Sequence, residues 1–554
     1  MANPFVDYLN SLHNDMASNQ NAIAELAIAS PFFEETQVKR DLITFLKEKL
    51  EANQFIILTG HAGDGKTTLL AQVLDSFGKK TNKLSVSGDI SLDNGHSLHY
   101  VKDFSELVAS KQDEELDFCF HRQDASLLIA NTGPLLGALK RLGGNDIEEV
   151  LLDAMDNSAG KDVTIPEHGD VYLLNIARVD NTDFIKPFLK NILKEQHWTP
   201  CKCCPHAPNC PIYFNQQMMA LQYDRASNLI ENMYIWLQEY DHRATIRQMT
   251  AHLTFSMTGG LSCEAVKQHG TPDWKFLYLF SNLFFGCKGT VPMKNAAQIR
   301  CISLVNESGF DRNQTCMDYE LYTCNDYHDY FPDPLAAVLY NALNGARHRN
   351  KVSVQPILKR AYIFFGHNTQ DIDRTVFSQI FSEWFDMYLG VRKEGIKPKS
   401  TVCKAIYHAI DTLFVGESFD ENVSQINLTL RRNDEQLRNV QLLTGRIGTD
   451  EIALKCVPIK TVSSVQKRYQ LEFQTGKVQY PLNLPLLNYC CEIHHGIIIT
   501  DIDPLLSNGI DSLKAQLLSH AHPNMDENQV QLVFLEGTKW SRETLTVGVH
   551  SLDH

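Results

Sequence analysis

The stretch Phe55–Leu74 of this sequence, FIILTGHAGDGKTTLLAQVL, decides how the first part of the chain folds. An apolar run ends at Gly60, Gly65-Lys66-Thr67 follows five residues later, and apolar residues then recur at helical spacing. Glycines let backbone N–H groups turn towards an anion, and the positive end of the following helix attracts it. The sequence therefore predicts a nucleotide-binding loop; the alternative is a glycine-rich turn that matches the pattern by chance.

The residues of this loop have distinct expected roles. Lys66 can reach the β and γ phosphates of a nucleotide, and the Thr67 hydroxyl can ligate Mg²⁺. ATP and Mg²⁺ are therefore the expected cofactors. The residues expected to contact the nucleotide are Gly60, Gly63, Asp64, Gly65, Lys66, Thr67 and Thr68.

The composition is that of a globular protein. Hydrophobic residues make up 43% of the 554 residues and charged residues 21%, which is ordinary for such a chain. No apolar stretch reaches the length of about 18 residues that a membrane span needs, and the first residues lack the features of a secretory signal. A cytoplasmic location is therefore expected. The net charge of −15 argues against bulk coating of nucleic acid, while a local basic channel, or contact with DNA through a partner, is still possible.

Apolar runs in the first third of the chain predict its core. They alternate with helix-like stretches, which is typical of a buried parallel sheet with crossover helices. The runs cover residues 54–60, 83–88, 97–103, 126–133 and 170–178. The predicted fold is an α/β phosphate-loop NTPase core with a parallel five-stranded sheet and a helical lid, followed by a mixed helical region and an α+β module.

Changes of pattern divide the chain into six segments. These are an N-terminal helical segment (1–40), the core (41–195), a cysteine-rich loop (196–216), the helical lid (217–300), a mixed, mostly helical region (301–450) and a C-terminal α+β module (451–554). The lid is expected to be helical throughout, with one helix ending at Gly259-Gly260. In the last module, residues 490–496 are expected to lie in a strand rather than to bind a metal.

Two predicted strands end in polar residues that a nucleotide hydrolase needs. Asp103 closes one run, where a carboxylate commonly ligates Mg²⁺, and Glu106 follows as a group that could orient a water molecule. Asn131 closes the next run, where its amide could hold the attacking water or sense the γ phosphate. A surface aspartate at a strand end and a turn-forming asparagine are the alternatives, and the sequence alone does not choose between them.

Two arginines in the lid are candidates for a phosphate contact. Arg243 and Arg247 are four residues apart and are expected to share a helix face. An arginine on a helix that folds over the nucleotide can contact the γ phosphate, and Arg247 is the candidate for this role. The alternative is a solvated pair that faces Glu239 or Asp241.

The cysteine-rich loop suggests a metal site. Zinc prefers four thiolate or imidazole ligands in a tetrahedron, and prolines would stiffen such a loop. Cys201 and Cys204 would form the first pair and Cys210 would be the third ligand. Either Cys203 or His206 would be the fourth. The hypothesis is a structural zinc site, and the alternative is a loop of incidental reduced cysteines.

The order of these parts resembles the AAA+ and STAND-like branch of phosphate-loop NTPases. Three stretches together are similar to the DptF (also called DndF) family of bacterial DNA phosphorothioation-dependent restriction systems. They are GHAGDGKTTLL (60–70), CCPHAPNCPIYFN (203–215) and TIRQMTAHLTFSMTGG (245–260). The resemblance covers residues 20–300 and does not extend into the C-terminal half.

This resemblance implies a subunit of an antiviral defence assembly that restricts DNA lacking sulfur in its backbone. The subunit would supply ATP-dependent switching or remodelling, and helicase-like or nuclease partners would act on the DNA. The resemblance also implies that Asp103 handles Mg²⁺ and that Asn131 and Arg247 sense the γ phosphate. One departure bears on hydrolysis: AAA+ ATPases usually have a glutamate directly after this aspartate, and here Phe104 follows.

Three functions are compatible with these features. The chain is an ATPase subunit of a DNA-restriction complex, a nucleotide-gated scaffold with little or no turnover, or a STAND-like regulator outside DNA defence. No nuclease motif was recognised in the last module. Basic clusters at residues 347–351, 391–399 and 430–432 either form a DNA-facing surface or are scattered solvated charges.

Overall fold

The computed structural model describes most of the chain. The described residues are 2–13, 30–79, 84–93, 95–344, 354–367, 369–415, 424–429, 440–462, 465–497, 502–520, 529–536 and 539–546. The chain divides into two compact units, Met1–Ile380 with Lys460–Ser464, and Phe381–Ile459 with Val465–His554. Within the described ranges, no helix combines the length and the apolar character needed to cross a lipid bilayer.

The first unit contains a central sheet and the helices around it. Its strands are β1 (Phe55–Thr59), β2 (Ser87–Ser91), β3 (Ser97–Val101), β4 (Ala125–Ala130), β5 (Lys161–Ile165) and β6 (Gly169–Asn175). The described helices before residue 195 are α1 (Pro4–Ser11), α2 (Phe33–Thr36), α3 (Leu42–Glu51), α4 (Lys66–Ser76), α5 (Ala109–His121), α6 (Thr132–Gly143), α7 (Glu148–Asp156) and α8 (Ile185–Ile192).

The six strands form one mixed sheet in the order β2-β3-β4-β1-β6-β5. The inner strands β3, β4, β1 and β6 are parallel, whereas β2 and β5 pair antiparallel with β3 and β6 at the two edges. The α/β core is therefore confirmed, and the prediction of five parallel strands was wrong in number and at both edges. The sequence missed β5 because Lys161, Asp162 and Thr164 are exposed in it, so it forms no apolar run.

Helices cover both faces of this sheet. On one face, Ile56 and Leu58 of β1 share an apolar core with Leu70 of α4. On the other face, Ile57 shares a core with Leu139 of α6. The inner strands are buried on both sides and consequently have the continuous apolar sequence by which they were predicted. Because these strands are parallel, the polar residues that follow β1, β3 and β4 lie at the same edge of the sheet.

The rest of the first unit is mainly helical. Its helices are α9 (Glu195–Lys202), α10 (Pro211–Leu221), α11 (Tyr223–Glu239), α12 (Ile246–Thr258), α13 (Cys263–His269), α14 (Trp274–Leu277), α15 (Phe280–Phe284), α16 (Arg300–Ser308), α17 (Asp318–Thr323), α18 (Asp333–Asn344), α19 (Gln355–Phe365) and α20 (Gln370–Ile380). A short antiparallel hairpin of β7 (Cys287–Lys288) and β8 (Val291–Pro292) interrupts them. The expectation that residues 217–300 are helical throughout was wrong at this hairpin.

Helix α12 begins later than the sequence suggested. Thr245 caps it through a capping box with Gln248, so the first helical residue is Ile246. Arg243 therefore precedes the helix, and the prediction that it shares a helix face with Arg247 was wrong.

The second unit combines two antiparallel sheets with four described helices. Its strands are β9 (Gln425–Thr429), β10 (Val440–Gly448), β11 (Ile452–Lys460), β12 (Val465–Phe473), β13 (Val478–Leu482), β14 (Gln529–Glu536) and β15 (Lys539–Thr546). The sheet orders are β15-β14-β10-β9 and β11-β12-β13. The helices are α21 (Phe385–Glu394), α22 (Ser400–Val415), α23 (Leu484–His494) and α24 (Pro504–His520). The segment boundary placed at residue 450 falls between two strands of this unit.

Residues 490–496 lie on and just after α23, so the expectation of a strand was wrong. The Asn483 side chain accepts the Leu486 N–H and caps the helix, and a proline stands in its first turn. These local signals outweigh the β-like composition of the run. Of the basic clusters, residues 347–351 and 430–432 lie outside the described residues.

Candidate functional site

The loop between β1 and α4 has a conformation that its glycines allow. Gly63 and Gly65 have φ values of 94° and 80°, in the left-handed region, which costs a residue with a Cβ about 1–2 kcal/mol. A Cβ on Gly63 would also lie 2.9 Å from Thr245 Oγ1. The loop therefore passes so close to the residue that caps α12 that only glycine fits there.

We expect Gly63→Ala to lower the free energy of unfolding of the first unit by about 1–3 kcal/mol, because it combines backbone strain with this overlap. Gly78→Ala is a matched control, since Gly78 also has a positive φ, 74°, but a Cβ there would meet nothing within 4 Å. Chemical denaturation of both variants measures the difference. Equal losses would show that the close approach to Thr245 contributes nothing.

Lys66, the first residue of α4, is held over this loop. Its Nζ donates hydrogen bonds to the Gly60 carbonyl at 2.8 Å, to the His61 carbonyl at 2.9 Å and to Asn131 Oδ1 at 2.9 Å. All three donors of the amino group are used in this way. Burial lowers the pKa of Lys66, and the charges of Asp64 and Asp103 oppose this effect.

Asn131 connects the ends of two parallel strands. It follows β4, its side chain accepts from Lys66, and its backbone N–H donates to Ser105 Oγ at 2.6 Å. The backbone N–H of Ser105 donates in turn to Asp103 Oδ1 at 3.2 Å. A series of hydrogen bonds thus runs from Lys66 to Asp103.

Asp103 and Glu106 bring carboxylates to the cavity beside this loop. Burial raises the pKa of Asp103, and the charge of Glu106 raises it further, while the Ser105 N–H and Lys66 act in the opposite direction. Phe104 is fully buried and offers no polar group. Burial and the charge of Glu106 both disfavour the ionised carboxylate, so a divalent cation bound here would stabilise it.

Arg247 lies at the same cavity. Its backbone N–H donates to the Gly63 carbonyl at 3.1 Å, which fixes the first turn of α12 against the loop. Its side chain lines the cavity, and its charge contributes to lowering the pKa of Lys66. Two cationic groups therefore share this space with the carboxylates of Asp103 and Glu106.

Asp64 turns into the protein interior instead of the cavity. Its carboxylate is fully buried, where Oδ1 accepts from Arg243 Nη1 at 2.9 Å and from Asn181 Nδ2 at 3.3 Å. Oδ2 accepts the backbone N–H of His61 at 3.0 Å. The sequence predicts that Asp64 contacts the nucleotide. In the structure its side chain instead fixes the loop through hydrogen bonds with buried groups on the side away from the cavity.

Two arginines complete this buried cluster. Arg243 Nη2 donates to the carbonyls of Ile176 and Val179 at 3.0 and 3.2 Å. Arg40 donates to the Asp64 carbonyl at 3.4 Å and to Asn181 Oδ1 at 3.3 Å. Sequence reasoning missed Arg40 and offered no buried role for Arg243. No local pattern marks either arginine, because their partners are distant in the chain.

The cavity beside the loop has a volume of about 430 Å³, within the range of about 300–1,000 Å³ typical of ligand sites. Its polar part includes Thr67 and Thr68 with the charged residues described above. Apolar side chains form another part of its lining, and they include Tyr8, Leu12, Phe33, Phe184, Phe188 and Ile246. This combination suits a ligand with a flat apolar ring and an anionic tail.

Gln72 adds a polar group to this lining. Its Nε2 donates to Gln37 Oε1 and to the Val38 carbonyl, both at 3.0 Å. All three residues line the cavity. Sequence reasoning missed this part of the site because its residues come from two separate segments, 37–38 and α4, without a shared motif.

The cysteine-rich loop is elsewhere in the first unit, and none of its cysteines lines the cavity. Cys201 is buried in the last turn of α9, and Cys210 caps α10. Cys203 and His206, the two candidates for a fourth metal ligand, are both exposed.

A mixed cluster in the second unit also has metal-binding residue types. The ligand atoms of Glu383, Cys491 and His495 lie within 4.8 Å of one another. His495 Nε2 and Glu383 Oε2 are 2.7 Å apart, and both side chains are about half exposed. A hydrogen bond between two surface side chains beside a buried thiol accounts for this arrangement.

Comparison of the chain with protein-family models, with curated proteins and with solved structures found no match. The function is therefore argued from the geometry of the cavity and from the sequence motifs.

Proposed function

We propose that the first unit binds a nucleoside triphosphate with Mg²⁺ in the cavity beside Lys66 and hydrolyses it. The observation that supports this most strongly is the convergence of Lys66, Asp103, Asn131 and Arg247 on one cavity from four different segments of the chain. These are a cation, a carboxylate, an amide and a second cation, which are the groups that phosphoryl transfer uses.

In this proposal each group acts on one part of the ligand. Lys66 exchanges its bonds to the loop carbonyls for bonds to phosphate oxygens. Thr67 and Asp103 hold the cation, which neutralises charge on the phosphates when bound. Asn131 and Glu106 orient the attacking water, and Arg247 stabilises the charge that develops on the transferred group. The aromatic lining contacts the base.

The biological setting is proposed from the sequence resemblance. The stretches 60–70, 203–215 and 245–260 support assignment to a DNA phosphorothioation-dependent restriction complex. Its other subunits, with helicase-like or nuclease activity, would act on DNA that lacks the modification. This chain would supply an ATP-dependent step to that assembly.

A specific observation favours a second candidate, a nucleotide-gated scaffold with little turnover. The residue after Asp103 is a buried phenylalanine, and the nearest carboxylate along the chain, Glu106, is exposed. A water-activating group is thus less well fixed than the phosphate-binding groups. In this case ATP would hold an assembled state and the partners would perform the work.

Steady-state ATP hydrolysis by the full chain separates these candidates. It is measured with Mg²⁺ alone, with unmodified duplex DNA and with phosphorothioated duplex DNA. Turnover that unmodified DNA accelerates more than modified DNA supports the ATPase subunit. Binding of ATP without turnover in all three conditions supports the scaffold, and the absence of ATP binding would overturn both.

The raised pKa of Asp103 predicts how binding depends on pH. A carboxylate ligates Mg²⁺ only when it is deprotonated, so the Mg²⁺-dependent part of ATP affinity should fall on acidification at a higher pH than for an ordinary aspartate. Calorimetric titration with and without Mg²⁺ across the acidic range measures this. Asp103→Asn should remove most of the Mg²⁺ dependence, and Asp75→Asn, on the exposed side of α4, should retain it. A Mg²⁺ effect that persists in Asp103→Asn would contradict the assignment.

A further inference from the structure

Cys263 lies beside the cysteine-rich loop, although it belongs to a later helix. The Asn3 side-chain Nδ2 donates to Cys201 Sγ at 3.3 Å, and the backbone N–H of Asn3 donates to Cys263 Sγ at 3.4 Å. One residue of the N-terminal segment therefore contacts both sulfurs. Sequence spacing could not reveal this pairing, because Cys263 is the first residue of α13 and has no cysteine near it in the chain.

The other two thiols complete the group. Cys204 follows Cys201 by one turn, and its backbone N–H donates to the Cys201 carbonyl at 3.2 Å. Cys210 caps α10, where its Sγ accepts the Tyr213 N–H at 3.5 Å. Burial raises the pKa values of Cys201, Cys210 and Cys263, and nearby thiols raise them further: Cys263 and Cys204 act on Cys201, Cys201 and Cys263 on Cys210, and Cys204 on Cys263. Four thiols from three segments thus surround one place, and none of them forms a disulfide.

We propose that Cys201, Cys204, Cys210 and Cys263 ligate a four-iron, four-sulfur cluster. Cys263, and neither Cys203 nor His206, is the fourth ligand. The proposal is independent of the proposed nucleotide site, because none of the four cysteines lines that cavity.

The separation of the sulfurs favours a cluster over a single zinc ion. Zinc–sulfur bonds of about 2.3 Å place tetrahedral thiolates only about 3.8 Å apart. Among the described residues, no three of these sulfurs lie within 4.8 Å of one another. A four-iron cluster binds each thiolate at a different iron, so it holds the four sulfurs farther apart than one ion does.

N–H donors oppose the effect of burial, which raises the pKa, at three of these thiols. N–H groups of Asn3 and Tyr213 already donate to three of the sulfurs, and hydrogen bonds to thiolate sulfur stabilise such clusters. Lys275 lies near enough to Cys210 to interact with its charge. Each thiol loses its proton on ligation, and these donors and the Lys275 cation would offset the negative charge that results.

Metal analysis of the full chain, purified without oxygen, tests this proposal. We expect about four iron and four acid-labile sulfide per chain, with broad visible absorption. Cys263→Ser should lose at least half of the iron, whereas Cys203→Ser, a neighbouring exposed thiol, should retain it. One zinc per chain without iron, or no metal at all, would overturn the cluster.

The controls separate loss of ligation from loss of folding. Circular dichroism of Cys263→Ser establishes whether the variant folds. If it does not, the metal content of the wild-type chain and of Cys203→Ser still decides the outcome. Equal loss of iron in Cys203→Ser and Cys263→Ser would overturn the assignment of Cys263 as the fourth ligand.

Discussion

Lys66→Ala is expected to weaken the affinity for Mg²⁺-ATP by at least about a hundredfold. The amino group donates two hydrogen bonds to loop carbonyls, and phosphate oxygens would replace these acceptors. Hydrogen bonds to charged groups contribute about 1.5–3 kcal/mol each, and about 1.4 kcal/mol corresponds to a tenfold change in affinity. Loss of two such bonds to phosphate would account for the expected change.

Isothermal titration calorimetry with ATP and Mg²⁺ measures this effect. Lys79→Ala removes the same charge from an exposed position just after α4 and should leave the affinity unchanged. An unchanged affinity in Lys66→Ala would remove the main support for a nucleotide site at this loop. A similar loss in both variants would show a general effect of net charge rather than a direct contact.

Asp64→Ala is expected to lower the free energy of unfolding of the first unit by about 3–5 kcal/mol, the range for breaking one side of a buried ion pair. The Asp64 side chain is fully buried and that of Arg243 is 19% exposed. Removal of the carboxylate leaves the guanidinium of Arg243 without its anionic partner. It also leaves the His61 N–H without the Asp64 acceptor and removes one of the two acceptors of the Asn181 amide.

Chemical denaturation measures this loss of stability. Hydrogen exchange of peptides from β1 and α4 shows whether the loss is located at the loop. Asp75→Ala, at an exposed aspartate of α4, should change stability by less than about 0.5 kcal/mol. Because Asp64 and Arg243 contact each other, the double variant with Arg243→Ala should lose less than the sum of the single losses. Strict additivity would show that the pair does not act as a unit.

Local signals explain what could be predicted of the fold and of the site. The apolar run of β1, the glycine spacing and the start of α4 are adjacent in the sequence, and the structure has the strand, loop and helix in that order. Asp103 and Asn131 could be predicted as site residues because each follows an apolar run. The carboxyl ends of neighbouring parallel strands meet, and both residues consequently line one cavity.

Features that depend on distant partners could not be predicted. Asp64 pairs with an arginine 179 residues later, so its residue type in the loop gave no sign of burial. Cys263 joins the thiol group only through tertiary packing around Asn3. Residues Lys161–Ile165 form an edge strand in which only Val163 and Ile165 are buried, so the strand has no continuous apolar run. The second unit begins at Phe381, within the segment predicted to be mixed and mostly helical (301–450). This start could not be predicted because the helices α21 and α22 precede the first strand of the unit.

The hydrogen bonds that connect Lys66, Asn131, Ser105 and Asp103 have a consequence for how this site can evolve. Only the bond from Lys66 to Asn131 joins two side chains, whereas the backbone N–H groups of Asn131 and Ser105 donate the other two. Drift at Ser105 or Asn131 is constrained although neither is a charged group. The effects of substitutions at Lys66 and Asn131 should therefore be coupled, whereas a change at Ser105 removes an acceptor that no replacement at its neighbours restores.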